Sequence, residues 1–151
     1  MRAHERVRQA RERAGLSQAE AAARCGMSID AYRDVEAHAD EFISAISLTT
    51  AKAICAALGL AVTDLVMLEP LGAHLRPTLS ADFLGFPRRT VVKRAREALG
   101  LSISEVATAI GFEEVAIERA ETDDDHLDTL PIQVLAELAA RLQLPLYILI
   151  V

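Results

Sequence analysis

The chain has 151 residues, 16 Lys and Arg against 22 Asp and Glu for a formal net charge of −6, and 52% hydrophobic residues, only 4% of the chain being aromatic and none of it Trp. That length allows one ordinary domain or two small ones, and apolar content dominated by helix-forming Ala and Leu excludes an all-β sandwich. No run approaches the roughly 18 apolar residues of a membrane span, and Met1 to Arg6 lead into an amphipathic pattern rather than an apolar leader, so the expectation is a cytoplasmic, all-α protein with no membrane partner.

In chain order, Val7, Ala10 and Ala14 share one helical face, and Gly15 ends that first helix. Ser17-Gln18-Ala19-Glu20 fits a capping box, in which hydroxyl and carboxylate each satisfy an orphan N–H, and so opens a second helix. Gly26 closes it. A third helix is predicted from about Ser28 to Glu36, a fourth over 48–58 after a polar loop, and a short fifth from Thr63 that Pro70 stops. Five short helices result.

The pattern then repeats. Residues 10–36 align without gaps on 95–121, a shift of 85, with 11 identities in 27 positions, where chance in so Ala-rich a composition gives about 2 or 3. The capping box returns as Ser102-Ile103-Ser104-Glu105 and the glycine as Gly111, while 46–62 matches 130–146 in apolar positions at a shift of 84. The reading is an internal duplication: a first unit over 1–69, a linker over 70–87 with Pro70, Pro77 and Pro87, and a second, acidic unit over 88–151. Leu75, Leu79, Phe83 and Phe86 make the linker too apolar for a free tether, so it is expected to pack across the units.

Helix, glycine turn and helix, with Ser-x-x-Glu opening the second member, resembles the Cro/C1-type (XRE) helix-turn-helix family. Residues 11–20, Cys25-Gly26-Met27-Ser28, Tyr32, Val35 and Glu36 carry the likeness in the first unit; Gly100-Leu101-Ser102, Glu105, Ala107, Gly111-Phe112 and Glu121 carry it in the second. The resemblance implies two tandem five-helix units. It also implies structural ion pairs, Arg11 with Glu36 and Arg96 with Glu121, and a third helix that enters the DNA major groove. The DNA-reading positions it implies are Gln18, Ser28, Ile29, Asp30 and Arg33, of which only Gln18 and Arg33 are chemically typical readers.

Charge complicates that expectation. Over 28–36 the balance is +1 (Arg33) −3 (Asp30, Asp34, Glu36), or −2, and nearer −1 once Glu36 is paired. In the second unit Ile103 replaces the Gln, and Glu113, Glu114, Glu118 and Glu121 stand against Arg119, a balance of −3. DNA affinity rests largely on cations that neutralise phosphates, so the second unit is not expected to bind DNA. Positive charge gathers instead on the first helix (Arg2, Arg6, Arg8, Arg11, Arg13) and at the entry to the second unit (Arg88, Arg89, Lys93, Arg94, Arg96). Two functions follow: a DNA-binding transcriptional regulator with the first unit as reader, or a protein-directed inhibitor docking through Glu113, Glu114, Glu118, Asp123, Asp124 and Asp125. The duplicated acidic units and paired cysteines are also similar to helix-turn-helix inhibitors of topoisomerase IV under thiol redox control, which implies a subunit of that enzyme, or another DNA-binding protein, as partner.

Cys25 and Cys55 are too few and too far apart for a zinc ribbon. Each reads first as a buried small hydrophobe and second as a thiol switch, with Cys25, where the other copy has Ile110, expected closer to solvent. His4, His38, His74 and His126 share no ligand spacing, and the run Asp123 to Asp128 lacks the Gly and terminal Glu of a calcium loop. No metal, cofactor or enzymatic activity is expected. The uncharged end, Leu144 to Val151, must be covered; it allows a short strand or a fifth helix, and the expectation is a homodimer built on this end and the linker.

Overall fold

The computed structural model describes residues 1–75 and 85–151. Residues 3–66 form six helices: α1 (Ala3–Arg13), α2 (Gln18–Cys25), α3 (Ile29–Ala37), the one-turn α4 (Glu41–Ser44), α5 (Leu48–Leu58) and α6 (Val62–Val66). A 3-10 turn, Pro70–Leu75, follows. From Arg88 the series recurs as α7 (Arg88–Ala98), α8 (Ile103–Ile110), α9 (Glu114–Ala120), α10 (Asp124–Asp128), α11 (Ile132–Arg141) and α12 (Tyr147–Ile150). The protein is thus all-α over the described residues, in two sets of helices that follow one plan.

Local chemistry explains the elements. Ser17 Oγ accepts the Glu20 N–H at 3.1 Å while Glu20 accepts the Ser17 N–H at 2.7 Å. Ser102 and Glu105 repeat the exchange at 3.0 Å in each direction. Both helices then end on a glycine in the left-handed region, Gly26 at φ 68° and Gly111 at φ 72°, where a side chain would be strained. The one-turn helices α4 and α10 add to the five of each set. They occupy what the sequence suggests is loop, because Phe42, Ile43 and Leu127 are buried there. Four or five residues are too few to show a helical period.

One apolar cluster runs through both sets of helices. Its members include Val7, Tyr32, Leu48 and Ile54 from the first and Val92, Ile117, Leu135 and Leu149 from the second, all at most 3% exposed. In each set the helix after the capping box packs on the long fifth one, α2 on α5 and α8 on α11. Between the sets, α4 packs on α11, α10 on α5 and α6 on α12. Among the described residues the sole β-type pairing is a single antiparallel bridge, Ser47 to Pro131, with the Leu48 N–H donating to Leu130 O at 2.9 Å.

The C-terminal strip is a helix rather than a strand. Leu144, Leu146, Leu149 and Ile150 are covered from within the same chain, α12 lying on α6 and α11, so its burial needs no second copy. In the predicted linker, the 3-10 turn packs on α6 and α11, and Phe86 stays 40% exposed with the Arg94 guanidinium 4.0 Å above its ring. Leu79 and Phe83 lie outside the described residues, as does the Leu75 side chain. Gly72 is required by space, since a Cβ there would meet the Met67 Cα and carbonyl oxygen at 2.9 Å.

Candidate nucleic-acid interface

Helix α3 is held by its C-terminal end and offers its N-terminal end. Tyr32, Val35 and Glu36 face inward. The Glu36 carboxylate receives Arg11 through Nε at 2.6 Å and Nη2 at 3.0 Å, and also the Gln18 amide at 2.9 Å. Arg8 donates to the Glu36 carbonyl oxygen at 2.7 Å, and Arg11 Nη1 to that of Leu16 at 2.8 Å. Burial opposes charge on Glu36, but the bonds from Arg11 and Gln18 outweigh it and hold this carboxyl below the usual range. The Tyr32 hydroxyl beside it is pushed up, first by burial and then by Glu36.

At the other end, Ser28 Oγ caps α3 by accepting the Ala31 N–H at 3.2 Å. Ser28, Asp30, Arg33 and Asp34 are exposed and Ile29 is half-buried. Arg33 lies toward Asp30, Nη1 to Oδ1 at 3.5 Å, an exposed pair that a phosphate or base edge can displace at small cost. Of the five positions implied to read DNA, Ser28, Asp30 and Arg33 are exposed between the N-cap and the middle of α3, and Ile29 is half-buried. Gln18, at the start of α2, is half-buried and donates its amide to Glu36. The residue type alone could not reveal that acceptor.

The basic first helix is largely spoken for. Arg2 pairs with Glu69, Nη2 to Oε2 at 2.6 Å, and Glu69 also takes the Ala3 N–H at 2.8 Å, capping α1 from 66 residues away. Arg6 donates to Gln9 at 2.8 Å. Arg2 and Arg6 are thus already engaged within the chain.

The second helix pair copies the frame with other surface chemistry. Arg96 meets Glu121 at 2.6 Å through Nε and bonds Leu101 O at 2.8 Å, matching Arg11 with Glu36 and Leu16. Glu113 at the N-cap of α9 and Glu114, Glu118 and Arg119 on the helix are exposed. With exposed Glu105 the outward balance on α8 and α9 is 1 − 4 = −3, against 2 − 3 = −1 on α2 and α3 (Arg24, Arg33; Glu20, Asp30, Asp34). Three-dimensional neighbours correct the reading of the acidic run that follows. Asp123 caps α10 by accepting the Asp125 N–H at 2.9 Å. Asp124 binds the Arg89 backbone N–H at 2.8 Å and its guanidinium at 3.0 Å. Asp128 holds Arg88 at 3.0 Å and, from the other set of helices, Lys52 at 3.5 Å. Of 123–125, Asp125 alone presents a carboxylate without an intramolecular contact among the described residues.

Cys25 and Cys55 are both free and both buried, at 9% and 3% exposure, so Cys25 is not the solvent-near thiol expected from its small size. Burial pushes Cys25 up, and burial together with Asp64 and Cys25 pushes Cys55 to about 12. Among the described residues no three His, Cys, Asp or Glu side chains gather as a metal site, and no helix is long and apolar enough to cross a membrane.

In α2 and α3, two capped helices meet at a glycine turn and the second is tied down at its C-terminus, a helix-turn-helix arrangement. Residues 7–65, from within α1 to within α6, match the helix-turn-helix family model. No curated protein and no solved structure matches the chain.

Proposed function

We propose that the protein is a DNA-binding regulator of the Cro/C1 type, in which the helices of 1–69 supply the reader and those of 88–151 do not read DNA. The observation that carries this reading is the placement of α3: its C-terminal end is locked through Glu36 while Ser28, Asp30 and Arg33 are exposed between its N-cap and its middle, within the stretch that matches the family. A helix held rigidly at one end with polar side chains free at the other suits insertion into a major groove. Arg33 is the side chain able to fork onto guanine.

Titrating labelled random duplex at falling salt tests it. The expected result is binding that tightens as salt falls, and that weakens when Arg33 becomes Ala; no binding at low salt refutes the proposal. The exposed Glu113, Glu114 and Glu118 favour a second reading, docking to a basic protein surface such as a subunit of topoisomerase IV, with DNA playing no part. A pull-down with purified subunit, lost on neutralising those three residues, supports that alternative. Its redox control has little support, because both thiols are buried and biased toward the protonated form.

A further inference from the structure

A shift of 84 residues carries α4 onto α10, α5 onto α11 and α6 onto α12. Contacts between the two sets of helices obey the same shift. The packing of α4 on α11 is answered by that of α10 on α5, α6 meets its own counterpart α12, and Ser47 bridges Pro131, which is its own counterpart too. Ala61, Val62 and Thr63 share one groove with Tyr147 and Ile150. Contacts in which i meets j and the counterpart of j meets that of i are the property of an isologous twofold interface. Here that interface closes inside one chain.

We propose that the protein is a single-chain pseudo-dimer: α10, α11 and α12 occupy the face of α4, α5 and α6 through which a second copy of the first half would pair, and the chain takes duplex DNA as a monomer at one half-site without dyad symmetry. The DNA part rests on the function proposed above; the internal pairing does not. An isologous face is used once, and here it is filled. Leu48, Leu65 and Val66 on one side and Leu146, Leu149 and Ile150 on the other are at most 1% exposed. A tethered partner also acts at an effective concentration on the order of mM, which a second copy at micromolar concentration does not match. With an outward balance of −3 on α8 and α9 against −1 on α2 and α3, the second pair of helices is the less suited of the two to a polyanion.

Light scattering on the intact chain from about 1 to 100 μM, together with a Ser47→Cys/Pro131→Cys variant under mild oxidation, tests the pairing. Residues opposed in an antiparallel bridge lie about 4.5–5.5 Å apart at Cα, within the range a disulfide spans. The expected mass is 16.4 kDa throughout, and the new disulfide forms within one chain, running as a faster monomer band on a non-reducing gel. A concentration-dependent dimer, or a disulfide joining two chains, overturns the proposal. If the double variant does not fold, the mass of the unmodified chain decides. Duplexes selected from a random pool are expected to lack a palindrome and to carry one chain each; two chains on a palindrome overturn the half-site. Absence of duplex binding with the mass at 16.4 kDa refutes the DNA reading and its half-site while upholding the internal pairing.

Discussion

Arg11 and Glu36 join α1 to the far end of α3 through a two-pronged ion pair of 2.6 and 3.0 Å, both side chains being largely withdrawn from water. Removing one partner of such a pair leaves the other as an uncompensated charge, which costs about 3–5 kcal/mol. Glu36→Ala is therefore expected to lower the melting midpoint by roughly 6–20 °C, at about 2–4 °C per kcal/mol for a chain of this size. Glu121→Ala is expected to cost less, since Glu121 has no amide partner corresponding to Gln18. Calorimetry on both variants checks the order; Glu36→Ala melting with the unmodified protein contradicts it.

Acid is expected to weaken the fold through Glu36 and Asp128. Burial opposes the charge of each, and the bonds from Arg11 and Gln18, or from Arg88 and Lys52, outweigh it, so both carboxyls lie below their ordinary values. A group depressed in the folded state contributes fully above its unfolded pKa, about 4 here, and loses that contribution as pH falls through the folded value. Urea midpoints are thus expected to be level from pH 7 to about 5 and to fall below about pH 4. Asp128→Asn should flatten part of that fall.

Thiol labelling is expected to be slow in the native protein. Cys55, at about 12, has almost no thiolate at pH 8, and only the thiolate reacts. An aromatic disulfide reagent should modify Cys25 before Cys55, and both at once after denaturation. Rapid native labelling of either would reopen the thiol switch.

Charge on α9 is expected to govern whether the second helix pair touches DNA. Glu114→Gln with Glu118→Lys moves its outward balance from −3 to −3 + 1 + 2 = 0. Binding to random duplex at low salt should then tighten, with a steeper dependence on salt concentration. An unchanged salt slope would mean that this face does not approach the duplex.

The parts of the fold that depend on neighbours in sequence are legible in the sequence, and the parts that depend on neighbours in space are not. Ser17 with Glu20 and Gly26, and their counterparts Ser102, Glu105 and Gly111, act within one turn of chain, so their residue types mark the helix ends directly. Asp124 reads as part of an acidic run because charge along the chain says nothing of Arg89, 35 residues distant. The bond from the Gln18 amide to Glu36, 18 residues away, is equally invisible in the sequence. The uncharged end is legible as something that must be covered, but not as a helix seated on α6, since its β-branched residues suit either form.

Lys52, Asp128 and Arg88 form a chain of contacts from one set of helices into the other, over an apolar core that neither set holds alone. Heating should accordingly melt the protein in one step rather than two, as a single cooperative unit. The outward carboxylates of α9 lie outside that unit. Folding alone therefore places little constraint on their identity, and the second half can be retained as scaffolding while its surface is free to acquire another task.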